Sequence, residues 1–560
     1  MEDITNLPKV KYAKDNAEAV KRRNDARTER KPAGTINFTA DTKQEVEQIQ
    51  TLFNRVKSFL GEGKCSFVSS KVALEEVLQF FITRNIELAA DRVQGDAVHF
   101  ADCSFSTCEE IATSKQQLFV CAETSVDKLT QRIQQHSCQC QRPLQRTQLQ
   151  MLGHVAMVTL QCDNGHKLLW PTSPYLGTKY LANSRMAHGY FISGILPNQY
   201  LRVAEAAGIG KLSDAYLSEF FENYKECVKT LADESCVDAL YEEIVAYPEM
   251  DGINILTDAR HGTRRNSKYT DVVCIGAESH KVLRIETITR ADEPCAQKHE
   301  LLGTKRIYDY LENQEGGSVS VRVHCHDRNM SVQSWVRGEK DTAITNDTWH
   351  ATKNVAKEIK CVCSGPRHLE GKTWHPQLSD KAGSIKTHMY WAMKNCQQSA
   401  DQLMKSVLNI INHYKNKHDD CHPTSRCKTD LHYEPSKTII DDPKAELLLQ
   451  QALQKTLIYK HPHDFIHCMD TYFVESFNNA LLQYHDKRTA SQLSEDSYKF
   501  RTRLAVLDWN ENINTRAATS TRRVLDSRNP RRQSESRVLK RKQFGFWGVV
   551  WEDFASINLH

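Results

Sequence analysis

Apolar residues recur at helical spacing near the start of the chain. Between about 42 and 60, QEVEQIQTLFNRVKSFL sets Val46, Ile49, Leu52, Phe53, Val56 and Leu60 on one face, and VALEEVLQFFITRNIEL (72–88) predicts a second helix. Residues 1–35 are polar and charged and read as a basic flexible arm, followed by a helical N-terminal region over 36–130. The segment 95–118, with DCSFSTC, is irregular. The pattern changes over 131–180, where HSCQCQ precedes a strand pair and QCDNGHKLLW follows. Helical spacing returns in a connector over 181–250, with NQYLRVAEAAGIG and LSDAYLSEFFENYKECVKTLAD.

From 251 to 360 the period shortens. GINILTD ends at Asp258, and YTDVVCIG and KVLRIETIT are rich in β-branched residues. KHELLGTKRIYDYLENQ predicts a helix. GGSVSVRVHCHD then alternates, with Val319, Val321, Val323 and Cys325 on one face, and ends at Asp327. AITND gives a short strand, and WHATKNVAKEIK a helix starting near Asp347. This order predicts an α/β fold with a mixed sheet flanked by helices, and it is also the order of an RNase H-like domain. Residues 361–465 interrupt it as a Cys/His-rich, largely helical insertion. The core resumes over 466–520, with a helix at 471–484 whose face of Phe473, Phe477, Leu481 and Tyr484 is buried and which carries Glu475.

Composition narrows the setting. Of 560 residues, 40% are hydrophobic and 26% charged, as in a globular protein. No apolar run suits a membrane span, and the N-terminus lacks the core of a secretory signal. A nuclear or cytosolic setting follows, in which the 18 cysteines are buried thiols or metal ligands rather than disulfides. Net charge is only +4, but basic residues cluster at 9–31 and 522–542. Such ends fit phosphate contact or nuclear import, and equally fit solvated tails. The closing FGFWGVVW has Phe544, Phe546, Trp547 and Trp551 to stack on nucleic acid, although packing back onto the core is the expected use.

Asp258 and Asp327 each close an apolar strand at the start of a loop, where strand ends bring remote residues together. Two acidic side chains so placed can share Mg²⁺, which takes a few carboxylates plus water and substrate phosphate. An Asp after a strand also starts turns and caps helices. On its helix Glu475 lies away from the apolar face, beside Asn479, as a solvated Glu would.

These residues resemble a known family. TYFVESFNNALLQYHDKR followed by RTRLAVLDWNENINTR is similar to the C-terminal catalytic region of Kolobok-superfamily cut-and-paste DNA transposases, through Glu475, Lys487, Arg488, Arg501, Leu504, Ala505, Asp508 and Asn510. NDTWHATKNV looks like the family's Asp-x-Trp-His-x-x-Lys signature, carried by Asp347, Trp349, His350 and Lys353; TDARHGTRRNSKYT and HCHDRNMSV resemble its two aspartate-bearing strand exits. The resemblance spans roughly 130–520. It implies an RNase H-like core, a catalytic triad of Asp258, Asp327 and Glu475 holding Mg²⁺ or Mn²⁺, and His350, Lys353, Lys487 and Arg488 near the DNA backbone. Asp347 stands either as an alternative second ligand or as a helix N-cap. Two features depart from the family: residues 1–100 carry no THAP-type finger, and the usual Ser-Pro after the first aspartate is absent.

Two zinc sites complete the expectations. Cys138 and Cys140 in HSCQCQ, with Cys162 and His166 in QCDNGH, form a zinc-ribbon-like set. In the insertion His388, Cys396, His413 and His418 form a second set, with Cys421 and His422 as competing ligands; scattered solvated histidines would look similar. The function implied is metal-dependent cleavage and strand transfer of double-stranded transposon ends, in the nucleus, by a homodimer or larger assembly. A non-catalytic, host-adopted DNA- or chromatin-binding descendant and a stand-alone RNase H-type nuclease remain open alternatives.

Overall fold

A computed structural model describes residues 118–249, 251–263, 266–314, 317–485, 489–517, 520–525, 533–538 and 542–558. The arm, the two helices expected within 42–88, and the pair Lys487 and Arg488 lie outside the described residues.

The first described helix, α1 (Glu123–Cys140), runs straight through HSCQCQ. No Gly or Pro interrupts it; it stops where Gln141 turns left-handed (φ 57°) and its N–H reaches back to Ser137 O. An antiparallel sheet follows, β1 (Gln145–Leu152), β2 (Val155–Gln161) and β3 (Lys167–Pro171). After a small hairpin, β4 (Tyr175–Leu176) and β5 (Lys179–Tyr180), come α2 (Leu181–Ile192), α3 (Pro197–Ala206) and the long α4 (Asp214–Val245).

The central sheet is mixed. Its strands β6 (Ile253–His261), β7 (Tyr269–Gly276) and β8 (Val282–Thr289) form an antiparallel meander. The helix α5 (His299–Glu312) then carries the chain to β9 (Val321–His326), which lies parallel to β6, and α6 (Met330–Glu339) carries it on to β10 (Ala343–Asn346), parallel to β9. The spatial order is β10-β9-β6-β7-β8. Alternate residues enter different cores: Ile253, Ile255, Val272 and Cys274 pack against α5 and α6, while Leu256, Val273 and Ile275 pack toward α2, α4 and the C-terminal helices. Burial on both faces explains the nearly unbroken apolar runs. It also explains why β9 buries polar side chains: His324 Nε2 meets Thr257 Oγ1 at 2.6 Å, and its Nδ1 meets Tyr308 OH at 3.2 Å.

The insertion is built from α7 (Thr348–Cys363), α8 (Ala382–Lys394), α9 (Ala400–Tyr414), the short α10 (Arg426–Thr429), α11 (Pro443–Lys455) and α12 (Leu457–Lys460). Val355, Ile359, Met389, Leu403, Val407 and Leu449 give it a core of its own. The chain then returns to the sheet through α13 (Tyr472–Ala480), shorter than the helix expected over 471–484 and continued by a 3₁₀ turn. Val474, Phe477 and Leu481 bury its apolar face, while Phe473 is only half-buried. The helix α14 (Glu495–Ala517), the strand pair β11 (Ser520–Leu525) and β12 (Gln533–Val538), and α15 (Gly545–Asn558) complete the chain. The aromatic ending packs inward: Phe546, Val550, Trp551 and Phe554 are buried in the core shared with α4. None of the helices among the described residues is long and apolar enough to cross a membrane.

Asp347 joins the departure and the return of the insertion. Its Oδ1 caps α7 through His350 N (2.7 Å), and its Oδ2 accepts from both Thr471 N and Thr471 Oγ1 (2.8 Å each) at the start of α13. Thr348 N adds a bond to Met469 O at 3.1 Å. The side chain is buried, so its loss strands three donors. Asp347→Ala is expected to lower stability by roughly 2–4 kcal/mol, read from urea denaturation. A change under about 0.5 kcal/mol, the ordinary surface range, would show that this clamp carries no weight.

Candidate functional site

The parallel register pairs Thr257 with His326, which brings Asp258 and Asp327 to the same end of the β6–β9 ladder. Asp327 stands just past β9 as expected, whereas Asp258, expected to close its strand, stays paired with Val273 because β6 runs on against β7 to His261. Across this end of the ladder runs α13, packed on β6 and β7. Asn478 Nδ2 donates to Asp258 Oδ2 at 3.1 Å, and Glu475, three residues earlier, shares that helical face. Burial foremost raises the Asp258 carboxyl to about 6, with Asp327 and Glu475 adding repulsion against an N–H bond from Ala259 and the opposing pull of His350. Partial burial likewise raises Asp327; His350 and Lys353 oppose this, and Asp347 adds to it. Asp258 thus feels both of the other acidic groups.

A basic and aromatic rim stands beside Asp327. His350 Nδ1 lies 3.0 Å from Asp327 Oδ1 and 3.2 Å from Asp347 Oδ1, and its ring meets Trp349 edge-on. The exposed Lys353 places Nζ 3.0 Å from the centroid of the Trp349 ring. Asp347 itself is turned to the α7 and α13 backbones as a cap.

The Arg-x-x-Leu-Ala-x-x-Asp-x-Asn run on α14 is architectural. Arg501 is buried and donates to the carbonyls of Gly194, Tyr484 and Ile195. Asn510 completes the β8 edge, with Oδ1 accepting from Val282 N (2.8 Å) and Nδ2 donating to Val282 O (3.1 Å). Asp508 is buried against Lys542 (2.6 Å).

Both Cys/His expectations need correction in part. The first group is His136, Cys140, Cys162 and His166. Cys138 is exposed and outside it, because the segment is helical: residues four apart share a face, whereas residue 138 points about 200° away. Cys140 Sγ and Cys162 Sγ are 3.8 Å apart, and Cys162 Sγ is 3.6 Å from His166 Nδ1. A tetrahedron with Zn–S bonds of about 2.3 Å has edges near 3.7 Å, so the donors fit zinc. Against slight desolvation, bonds from the Arg142 backbone, Asn164, His166 and Cys162 hold the Cys140 thiol below its ordinary value.

The second group is His413, His418, Cys421 and Cys427. Cys421 Sγ lies 3.5 Å from His413 Nδ1 and 3.7 Å from His418 Nδ1, again tetrahedral edges. His388 and Cys396 do not take part. His388 Nε2 pairs with Ser406 O at 3.1 Å, and Cys396 is buried in the insertion core with Sγ directed at the carbonyls of Met393 and Ile466. His422 pairs with Thr424. Reading the α1 helix through residue 140 would have exposed the His136–Cys140 spacing; the Cys421-to-Cys427 gap gave only a weak signal. Glu300, in the first turn of α5, went unmarked: burial, then the fields of Asp258 and Asp327, raise it to about 7 against a bond from Asn329.

Either Cys/His group could hold a zinc-like ion. Cys140→Ser and Cys427→Ser are each expected to lose about one equivalent of bound zinc, measured on the purified chain by elemental analysis, with Cys138→Ser retaining both. Equal loss from Cys138→Ser would refute the first ligand set. The carboxylates give a pH signature. A folded-state value raised from 3.8 to about 6 means that ionising Asp258 opposes folding: its contribution is complete below the ordinary value and declines by on the order of 3 kcal/mol as pH rises through 6. Without divalent ions, the gain in melting temperature from pH 7 to pH 5 should therefore be a few degrees larger in the natural chain than in Asp258→Asn; equal gains in the two would contradict it.

No family model and no curated protein matches this chain.

Proposed function

We propose that this protein is a DNA transposase with an RNase H-like core, in which Asp258, Asp327 and Glu475 hold a pair of Mg²⁺ or Mn²⁺ ions. One observation carries the reading: Asp258 on β6 is raised by burial and, beyond that, by the charges of Asp327, just past the parallel strand β9, and of Glu475, on a helix from beyond the insertion. Crowded anions of this kind are relieved by a bound cation. The strand order β10-β9-β6-β7-β8 and the Kolobok-like signatures support the same reading.

Such a metal pair, when bound, activates an attacking oxygen and stabilises a leaving one at a phosphodiester. The residues divide the remaining work. Asp258 within β6 and Asp327 just past β9 present hard anionic oxygens, and Asn478 fixes one oxygen of Asp258. His350 orients Asp327, and Lys353, braced on Trp349, offers a positive charge to DNA phosphate outside the carboxylates. The Cys/His groups serve as closed structural zinc sites. Double-stranded element ends and target DNA are the substrates. Two ends must be held at once, so the working form is a dimer or larger assembly, acting in the nucleus.

The test is Mg²⁺-dependent nicking and strand joining on DNA carrying the element's terminal repeats. Asp258→Asn and Glu475→Gln should each reduce the rate by about a thousandfold or more while the melting temperature is maintained. Cleavage of an RNA–DNA hybrid without joining would instead identify a nuclease. DNA binding with no metal-dependent cleavage, unchanged by Asp258→Asn, would identify a non-catalytic descendant.

A further inference from the structure

Glu300 opens α5 at the end of the β6–β9 ladder that holds Asp258 and Asp327. Neighbouring bonds fix that placement: His299 Nδ1 meets Thr270 Oγ1 at 2.8 Å on β7, and Asn329 Nδ2 donates to Glu300 Oε2 at 2.7 Å. Asn329 stands two residues after Asp327, and its Oδ1 caps α6 by accepting from Ser331 N (2.9 Å) and Val332 N (3.3 Å). One amide thereby ties the loop carrying Asp327 to the Glu300 carboxylate. Among the described residues no donor bonds to the other oxygen, Oε1.

An acid inside a fold is normally paired with a cation or well supplied with donors. Among the described residues the half-buried Glu300 has no cation partner and takes its side-chain bond from Asn329 alone, and it lies in the field of two further carboxylates. A second group in this cleft is also unsatisfied: Asn478 Oδ1 is buried and receives no hydrogen bond, although the same side chain's Nδ2 is spent on Asp258. An unpaired carboxylate and an orphaned amide oxygen, both hard donors, flank Asp258. Divalent Mg²⁺ and Mn²⁺ select this donor chemistry.

We propose that Glu300 is a fourth carboxylate of the metal centre, a ligand to one of its two ions, held in place by Asn329. The inference rests on the two-metal reading above. Glu300 keeps one oxygen on Asn329 and turns Oε1 to the ion, so the loop bearing Asp327 and the first turn of α5 are drawn to one cation.

The experiment titrates the full chain, with its Cys/His groups intact, with Mn²⁺ alone, and follows free ion by electron paramagnetic resonance. Glu300→Gln should lose one of two equivalents, or bind it about tenfold to a hundredfold more weakly. Asp258→Asn should lose both. Gln retains an oxygen for Asn329, so the α6 cap survives, and removing one of four acidic charges should raise the melting temperature of the ion-free protein. A purely structural Glu300 predicts the reverse, and a lowered melting temperature counts against the proposal. Unchanged Mn²⁺ binding by Glu300→Gln, together with loss in Asp258→Asn, would overturn this inference alone. Unchanged binding in both variants would remove the carboxylate metal centre and the inference with it.

Discussion

Parallel pairing of β6 with β9 is the constraint on which this architecture turns. In a parallel ladder both strands run the same way, so two residues 69 positions apart come to the same end of the β6–β9 pairing, Asp327 past its strand and Asp258 still within β6. An antiparallel pairing would have sent them to opposite edges. Parallel neighbours need a long crossover, and here α5 fills that role and brings Glu300 to the same edge. The sheet is covered on both faces, and apolar packing holds its strands against the repulsion of the acids they carry. Electrostatic strain is thus confined to the sheet edge, where a cation can relieve it.

The insertion follows a different logic. Its helices pack on one another, leaving a Cys- and His-bearing loop outside that core, and the second four-donor group lies where the loop leaves α9. The first group has a similar position, joining the end of α1 to the far end of the β2–β3 hairpin. In both places the chain makes a long excursion with few apolar residues, and an ion held by the four donors would supply the missing core. The Asp347 clamp then gives the insertion a fixed footing on α7 and α13.

Much of this was legible where the signal is local. Alternation and β-branched runs marked the strands, and Asp327 stands just past the end of β9, whereas Asp258 only looked like a strand end because the polar residues that follow it stay paired with β7. The TND–Trp–His spacing marked a cap, and Asp347 is one. Three-dimensional relations were harder to read. Cys138 looked equivalent to Cys140 until the helix set a 100° step between neighbours. His388 and Cys396 carried metal-binding chemistry, but packing took them into the insertion core. Glu300 had no local signature, since its surroundings come from β7, β9 and the α6 cap. The α14 motif looked chemical in sequence, yet Arg501 and Asn510 satisfy backbone carbonyls and an open strand edge.

The placement of Glu475 beyond the insertion has a consequence for synthesis. The ribosome releases both strand aspartates more than a hundred residues before α13, and α14, which seals the β8 edge, emerges later still. A nascent or prematurely terminated chain therefore holds two of these acidic groups without their third partner. Any chemistry that needs all three groups is withheld from such a fragment, because the order of synthesis delivers the third one last.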